Sequence, residues 1–306
     1  MLFLRSWLEE YIDLSNYSNK ELADIITAKS SEVEEIKVIR DYFGGKVVVG
    51  QIKNVRSHPD ASRLQIFDVV IGGDKKIQIV SAASNVCEDL LVPVALEGAK
   101  LPNGLTIMPR KMRGEESQGM CCGMSELMLE TNPSPGLWEL ESEFGIAQKS
   151  VILGQSVCDA FPSYFPEEVV LYIKVLPNRV GVFGSYLGMA FEIAICLENR
   201  GLLKRKASRL LDCEIFLDDV RNQLNFASKT TDPGSTKFQD NTDYTNSMSL
   251  FNVTFKVSET YYLPHEIKKK MYLTGINMIG GFADVSNYLL YDVGQPTHFF
   301  FISWGK

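Results

Sequence analysis

The sequence predicts an α+β chain of more than one domain, and three observations support this prediction. A chain of 306 residues is too long to fold around one ordinary hydrophobic core, which indicates two or three domains. Apolar residues recur at helical spacing near both ends of the chain. Between about residues 46 and 153, short apolar runs separated by turn residues indicate a small β-barrel, an architecture that closes its own sheet edges.

The first 39 residues predict two short helices followed by a strand. Ser18 and Glu21 have the spacing of a capping box, in which each side chain accepts the backbone N–H of the other residue, and this box starts the second helix. Apolar and polar residues then alternate between 32 and 39, which predicts a half-exposed strand.

The barrel region begins near residue 40. Its clearest predicted strands are 47–52, 64–70, 77–80 and 91–95, with turns at 72–74 and 102–104. The adjacent residues Cys121 and Cys122 lack a Cys-x-x-Cys partner pair, so we expect them to line a strand rather than to bind a metal.

The region after the barrel is predicted from four segments. We expect a strand near 169–175, a helix with an apolar stripe from 187 to 197, a polar mobile loop over 228–246, and a helix that starts at Pro264 and ends before Gly275. Residues 268–270 of that last helix are three consecutive lysines, which we expect to face solvent.

Two sets of residues resemble a known family, the β subunit of bacterial phenylalanyl-tRNA synthetase. Residues 58–64, 78–80, 92–95, 113–114 and 116–120 are similar to its tRNA-binding oligonucleotide fold, or OB-fold. Residues 275–277, 284–288 and 294–298 are similar to the start of its B3/B4 editing domain. The resemblance implies an OB-fold barrel inserted in a small α+β module and followed by an incomplete α+β editing-like domain.

The same resemblance implies a division of the chain. Residues 1–39 and 154–200 would form the small α+β (B1-like) module, 40–153 the OB-fold tRNA-binding domain, and 201–306 the partial B3/B4 domain. An editing domain that stops at Lys306 would lack partner strands, so we expect residues 285–293 to form an unpaired edge or an exposed apolar surface.

Barrel loops of this family grip tRNA with cations on phosphates and with polar groups on sugars and bases. The candidate tRNA-binding residues are Lys53, Arg56, His58, Arg63, Lys100, Lys111, Arg113, Ser117 and Gln118. A structural alternative stays open for some positions, because residues 59–61 have the composition of a turn and Arg113 could pair with a carboxylate.

His298 corresponds to the histidine of the family's editing pocket and is the single candidate catalytic residue. Asn277 stands where the family typically carries an arginine, and residues 299–301 are three phenylalanines where the family has Ala-Phe-Asp. The acidic residue that would recognise a tyrosine hydroxyl would lie beyond Lys306. We therefore expect no hydrolysis of aminoacyl esters.

The formal net charge of −7 argues against a nucleic-acid binder only if local patches are ignored. No apolar run is long enough for a membrane span and no signal sequence is visible, so we expect a cytoplasmic protein. The expected partners are tRNA and, within a synthetase, the α subunit and the rest of a β subunit; neither a membrane nor DNA is expected. No cofactor is expected in this chain, since ATP and Mg²⁺ would act only in the whole synthetase.

Three interpretations remain open at this point. The chain could be the tRNA-binding N-terminal portion of a synthetase β subunit, without aminoacylation activity of its own. It could instead be a stand-alone, shortened relative that binds tRNA outside a synthetase. A free-standing aminoacyl-tRNA deacylase is the third interpretation, and Asn277 counts against it.

Overall fold

The computed structural model describes residues 1–131, 136–140, 152–204, 238–240, 251–253, 262–297 and 299. These residues form a mixed α+β structure around two main sheets. The elements up to the barrel are β1 (Leu2–Leu4), α1 (Arg5–Leu8), α2 (Asn19–Lys29) and β2 (Val33–Ile39). The barrel elements are β3 (Val47–Ser57), β4 (Gln65–Val70), β5 (Lys76–Ser81), β6 (Leu91–Ala95), β7 (Arg110–Met112), β8 (Glu115–Ser117) and β9 (Met120–Cys121).

The elements after the barrel return to the first sheet and then add helices to it. They are α3 (Val157–Ala160), β10 (Glu168–Ile173), a 3₁₀ turn (Pro177–Arg179), α4 (Val180–Phe183), α5 (Tyr186–Cys196), a second 3₁₀ turn (Arg200–Leu202), β11 (Phe238–Asp240), β12 (Phe251–Val253), α6 (His265–Leu273) and α7 (Phe282–Val293). The loop predicted over 228–246 lies outside the described residues except for β11, which pairs with β12.

The first sheet has the antiparallel order β1-β10-β2. Leu171 of β10 lies between Phe3 of β1 and Ile36 of β2, and the first two of these side chains are fully buried. Because β2 and β10 are neighbours in space while the whole barrel lies between them in sequence, the barrel is an insertion between two paired strands. The numerical limits of the three domains stay a prediction.

The predicted capping box opens α2. The Ser18 hydroxyl accepts the Glu21 backbone N–H at 3.2 Å, and the Glu21 carboxylate accepts the Ser18 backbone N–H at 2.9 Å. Two backbone N–H groups at the helix start are thereby paired, which fixes where the helix begins.

The second sheet is a nearly closed, OB-like barrel with the strand order β5-β4-β3-β6-β9. The Gln118 backbone N–H donates to the Gln78 carbonyl at 2.9 Å, and the Val80 backbone N–H donates to the Ser117 hydroxyl at 3.1 Å. These bonds join β5 to the end of β8 and to the residue that follows it, and this seam brings the two ends of the sheet together.

The barrel interior is close-packed around Gly50. A Cβ atom at this position would lie 2.5 Å from Val69 Cγ1 and 2.6 Å from Val94 Cγ2. Glycine is therefore required here by space, since β3 must pass close to β4 and β6 side chains. One cluster of buried residues, including Val69 and Val94, fills the barrel, and a second, larger cluster is shared between the barrel wall and the first sheet.

The C-terminal helices pack on the first sheet's module. Trp7 of α1 is stacked between two tyrosines, with ring centroids 3.8 Å from Tyr186 of α5 and 5.2 Å from Tyr288 of α7. The Trp7 indole N–H donates to the buried Asp292 carboxylate at 2.8 Å. The expected unpaired edge over 285–293 is therefore wrong, because these residues belong to helix α7, which packs against the N-terminal module.

The start of α7 explains why this segment is helical. The Asp284 carboxylate accepts the backbone N–H groups of Ile279 at 2.8 Å and Gly280 at 3.1 Å, which orders the turn before the helix. At the other end Gly294 adopts a left-handed conformation, with φ +79°, that terminates helices. The apolar residues of this segment were predicted to form the edge strand of a sheet. However, a carboxylate in the first turn and a glycine directly after the last residue are typical of a helix.

The lysines of α6 were expected to face solvent, and this expectation is wrong. Lys270 pairs with Glu10, and Lys269 lies 3.4 Å from the carboxylate of Glu168. The Lys268 ammonium donates to the Thr131 carbonyl at 3.3 Å. The helix thus docks with its basic residues facing carboxylates of the module. Among the residues that the structure describes, no helix is both long and apolar enough to cross a membrane.

Candidate nucleic-acid interface

Two loops meet at one end of the barrel. The first is the β3–β4 loop, residues 58–64, and the second is the β7–β8 hairpin, which belongs to the long connection between β6 and β9. In OB-folds the loop between the first two strands, the loop between the last two, and the face of the second and third strands bind oligonucleotides. Here those parts correspond to the β3–β4 loop, the β6–β9 connection and strands β4 and β5.

His58 joins the two loops. Its side chain is 5% exposed, its Nε2 lies 3.1 Å from the Met112 carbonyl oxygen, and its Nδ1 lies 3.1 Å from the Asp60 backbone nitrogen. Because Asp60 donates its N–H, Nδ1 is the acceptor, and a neutral ring therefore carries its proton on Nε2 and donates it to Met112. Both ring nitrogens are thus occupied within the protein. His58, a predicted tRNA-binding residue, is placed to hold the loops rather than to face solvent.

The tip of the β7–β8 hairpin is a two-residue turn. Met112 pairs with Glu115, and the two residues between them, Arg113 and Gly114, have φ values of +48° and +98°. Positive φ at both central residues defines a type I′ turn, whose twist matches that of the flanking strands. Glycine adopts this conformation freely, whereas an arginine does so at a cost of about 1–2 kcal/mol.

Five cations lie around these two loops and form what we call the rim: Arg56, Arg63, Arg110, Lys111 and Arg113. All five are exposed, and the Arg56 guanidinium is steadied by a 2.7 Å hydrogen bond to the Gln78 side-chain oxygen. The rim is not purely basic, because Glu115 and Glu116 of β8 lie in the same hairpin. Arg110 was not among the candidate residues, although its position three residues before Arg113 in an acid-free stretch was a usable signal.

Gln78 was also missed by sequence reasoning. Its side-chain nitrogen donates to the Glu116 carbonyl at 2.8 Å while its oxygen accepts from Arg56. Gln78 lies between two apolar residues of a strand. Because successive side chains of a strand point to opposite faces, this pattern predicts that Gln78 lies on the outer face of the barrel. It links the end of β3 to the β7–β8 hairpin across that face.

The predicted residues Ser117 and Gln118 lie in the barrel seam. The Ser117 hydroxyl is 3% exposed and donates to the Gly119 carbonyl at 3.0 Å while it accepts from Val80. The Gln118 side-chain oxygen accepts the Gln78 backbone N–H at 3.1 Å. The described hydrogen bonds of both side chains therefore close the barrel.

Two further predicted residues lie away from the rim. Lys53, half-buried in β3, forms an ion pair with Asp89. Lys100 is exposed, but it belongs to a separate hairpin earlier in the β6–β9 connection, and its carbonyl accepts the Tyr272 hydroxyl of α6 at 3.2 Å. The predicted cations thus lie on β3, on the β3–β4 loop and on two successive hairpins, and His58 connects the loop that carries Arg63 to the hairpin that carries Lys111 and Arg113.

The candidate editing residue, His298, lies outside the described residues. Asn277 lies in the segment between α6 and α7. In the described part of the chain no group of three or more His, Cys, Asp or Glu side chains is arranged to hold a metal ion.

Comparison with known proteins supplies the family context of this geometry. Residues 47–149 match the family described as "Putative tRNA binding domain". A phenylalanine--tRNA ligase beta subunit of Staphylococcus aureus (strain bovine RF122 / ET3-1) is 31% identical over 301 residues, which cover 98% of this chain and 34% of that protein. Beta subunits of strains Mu50 / ATCC 700699 and N315 match to the same extent. The chain therefore spans about a third of the length of the curated relatives it matches.

Solved structures give weaker similarities. A MetRS related protein from Pyrococcus horikoshii is 18% identical, with a TM-score of 0.26 over 36% of this chain and 87% of that chain. The C-terminal domain of Plasmodium vivax p43 is 25% identical, with a TM-score of 0.20 over 24% of this chain and 43% of that chain. TM-scores this low do not establish a common fold. The sequence matches do establish a relationship: residues 47–149 match a tRNA-binding domain family, and 98% of the chain is similar to phenylalanine–tRNA ligase β subunits.

Proposed function

We propose that the barrel binds tRNA through the rim, with Arg63 and Arg113 as its central contacts. The observation that carries this proposal is the His58 bridge, which holds two cation-bearing loops together at the end of the barrel that OB-folds use for oligonucleotides. A surface built in this way brings several exposed guanidinium groups, which can bind phosphate oxygens in a bidentate manner, to one end of the barrel.

The charge distribution supports the same conclusion. The whole chain carries a formal charge of −7, yet residues 98–114 contain four basic side chains and no acidic one. Phosphate contacts depend on such local patches, and the acidic remainder limits non-specific association. We therefore expect modest affinity that falls steeply as the salt concentration rises.

The backbone of Arg113 is a second, independent support. Asparagine or glycine would occupy its left-handed turn position with less strain. A residue that folds less favourably than its alternatives indicates a role for its side chain, and at this position the side chain is an exposed cation.

The decisive experiment uses two variants of Arg113 together with a control. Lys111→Ala/Arg113→Ala should reduce the slope of log K against log[salt] by roughly 1.4–1.8, since each lost phosphate contact contributes about 0.7–0.9. Arg113→Asn should weaken binding in the same direction while leaving the thermal unfolding temperature equal or higher. Lys75→Ala/Lys76→Ala removes two exposed lysines, one from the β4–β5 turn and one from the start of β5, at the opposite end of the strands, and should leave the slope unchanged. Equal slopes for all of these proteins would refute the rim as the binding surface.

The synthetase context is the second part of the proposal. We infer that the chain acts in the cytoplasm as the tRNA-binding portion of a phenylalanine–tRNA ligase β subunit, beside an α subunit and the remaining β-subunit domains. Support comes from the similarity to beta subunits over 98% of the chain. ATP and Mg²⁺ would be used by the assembled enzyme and not by this portion. Co-purification with the α subunit of the same organism would test this part, and tRNA binding by a chain that never associates with it would favour a stand-alone protein.

A further inference from the structure

Strand β2 lies at one edge of the first sheet. The sheet has the order β1-β10-β2, so among the described residues β2 pairs with one strand, β10, and has no strand on its other side. The first backbone N–H of β2, that of Val33, donates to the Thr27 hydroxyl at 3.0 Å. Residues 34–38 are all exposed. Because the outer backbone groups of an edge strand can hydrogen-bond to another strand, β2 offers a surface for strand addition.

The side chains of β2 continue both faces of the sheet to this edge. Ile36 pairs with the fully buried Leu171, yet Ile36 itself is 37% exposed. On the opposite face, Glu35 pairs with the exposed Tyr172. Lys37 shares the face of Glu35, because alternate residues of a strand point to the same side. The apolar layer of one face therefore ends uncovered at Ile36, and a carboxylate and an ammonium group flank this position on the other face.

We propose that β2 binds the β2 strand of a second copy of this chain. The two strands run antiparallel about a two-fold axis that passes through Ile36, and the two three-stranded sheets join into one six-stranded sheet. This inference concerns a protein–protein surface and does not depend on the proposed tRNA binding.

The charges of β2 favour a second copy of the chain as the partner. With Ile36 on the axis, Glu35 of each copy lies directly opposite Lys37 of the other, so the favourable pair occurs twice. Opposite charges at directly opposed positions stabilise a strand pair, whereas like charges destabilise it. The strand is therefore complementary to itself, a property that an unrelated partner protein would not require.

The same charges select one register. An axis through Glu35 would place Glu35 opposite Glu35, and an axis through Lys37 would place Lys37 opposite Lys37. Both of these neighbouring two-fold registers bring like charges together and are disfavoured. A charged residue on an edge strand usually prevents pairing with other chains. In β2 the charges prevent the wrong registers and permit the one that is centred on Ile36.

The proposed register also covers exposed apolar side chains. Ile36 lies opposite Ile36 of the second copy, on the face where Leu171 is buried. Val38, which is 43% exposed, shares this face and lies diagonally across from Ile36 of the second copy. Pairing therefore continues the apolar layer across the axis and removes apolar surface from water, which favours association.

The contact is short, because the β2–β10 ladder is irregular between Glu35 and Val33. Two short edge strands bury less surface than a permanent interface does, so the dimer should form reversibly at protein concentrations on the order of 10–100 µM. We therefore expect a mixture of monomers and dimers that shifts with concentration.

The test measures dimerisation of the full chain by sedimentation velocity over a concentration series. Lys37→Glu and Glu35→Lys each place like charges opposite one another, and each should weaken dimerisation at least about tenfold. An equimolar mixture of the two variants should restore dimers, because every glutamate of one variant then lies opposite a lysine of the other. Lys75→Glu makes the same change of charge in the exposed β4–β5 turn and should dimerise normally.

Hydrogen exchange locates the contact on the strand. Backbone N–H groups within residues 34–39 should exchange more slowly at high protein concentration, since pairing protects those that face the second copy. In Lys37→Glu their exchange should not depend on concentration.

Four outcomes would overturn the proposal. The unaltered chain could remain a monomer well above the stated concentrations. Both single variants could still dimerise, which would place the contact on another surface. The mixture of the two variants could fail to dimerise, which would show that Glu35 and Lys37 do not face each other. Finally, a monomeric chain that loses co-purification with the synthetase α subunit on Lys37→Glu would assign the β2 edge to that protein and not to a second copy.

Discussion

Replacing His58 with alanine is the most informative single change in the barrel, because it disconnects the two loops without removing a rim cation. The imidazole makes two hydrogen bonds at 3.1 Å from a position that is 5% exposed. Each bond contributes about 1 kcal/mol, and the loss of buried packing adds about 1–2 kcal/mol. We therefore expect the barrel to lose about 3–4 kcal/mol of unfolding free energy.

The same change should weaken tRNA binding about tenfold. Once the bridge is lost, the β3–β4 loop and the β7–β8 hairpin must be ordered on binding, and ordering one residue costs roughly 1–2 kcal/mol. The salt slope should stay constant, since Arg63 and Arg113 are still present. Urea unfolding and a salt series of binding measurements on the full chain provide both numbers.

His265→Ala is the matched control for this experiment. Its ring makes a single 3.2 Å contact with the Thr131 hydroxyl in a half-buried position, so the expected loss is about 1 kcal/mol with normal tRNA affinity. If His58→Ala reduces the salt slope as the removal of a cation does, His58 itself contacts a phosphate. Unchanged stability and affinity would refute the bridge.

The remaining predictions concern the barrel interior, alkaline pH and editing. Gly50→Ala should destabilise the barrel by about 1–3 kcal/mol in urea unfolding, because the added methyl group overlaps Val69 and Val94. Burial raises the pKa values of Tyr11, Tyr186 and Tyr288 above the usual 10.0, so the stability they contribute is complete below pH 10 and is lost as the pH rises further. Above pH 10 each of these tyrosines lowers the free energy of unfolding by up to about 1.4 kcal/mol per pH unit. Absorbance at 295 nm, which reports ionised tyrosine, should therefore show these phenols losing their protons only when the protein unfolds. The purified chain should release no tyrosine from tyrosyl-tRNA of the phenylalanine type; turnover that disappears with His298→Ala would contradict this expectation.

Sequence reasoning succeeded where local pattern determines structure. The Ser18–Glu21 capping box and the barrel strands follow from spacing and turn residues, and all of them are present. It failed at α7, because Asp284 and Gly294 define that helix while its apolar residues fit a strand as well. The lysines of α6 were misplaced for another reason: their carboxylate partners, Glu10 and Glu168, are far away in sequence.

The candidate interface shows the same limit. The residue types of the rim were visible in the sequence, but hydrogen bonds between distant residues decide which polar side chains face solvent. His58 and Met112 are 54 positions apart, and Val80 and Ser117 are 37 apart. The spacing of residues in the sequence does not distinguish His58 and Ser117, which form hydrogen bonds within the barrel, from Arg63 and Arg113, which are exposed.

The pairing of β2 with β10 has a consequence for the order of synthesis. Ile39 at the end of β2 is the ladder partner of Glu168 at the start of β10. At about 5–20 residues per second, a ribosome needs on the order of 10 s to make the roughly 130 residues between them. All strands of the barrel emerge in that interval, so the barrel can close while β2 still lacks its only described partner strand. The stacking partner Tyr288 and the hydrogen-bond partner Asp292 of Trp7 are made later still, because their helix begins roughly 110 residues after β10.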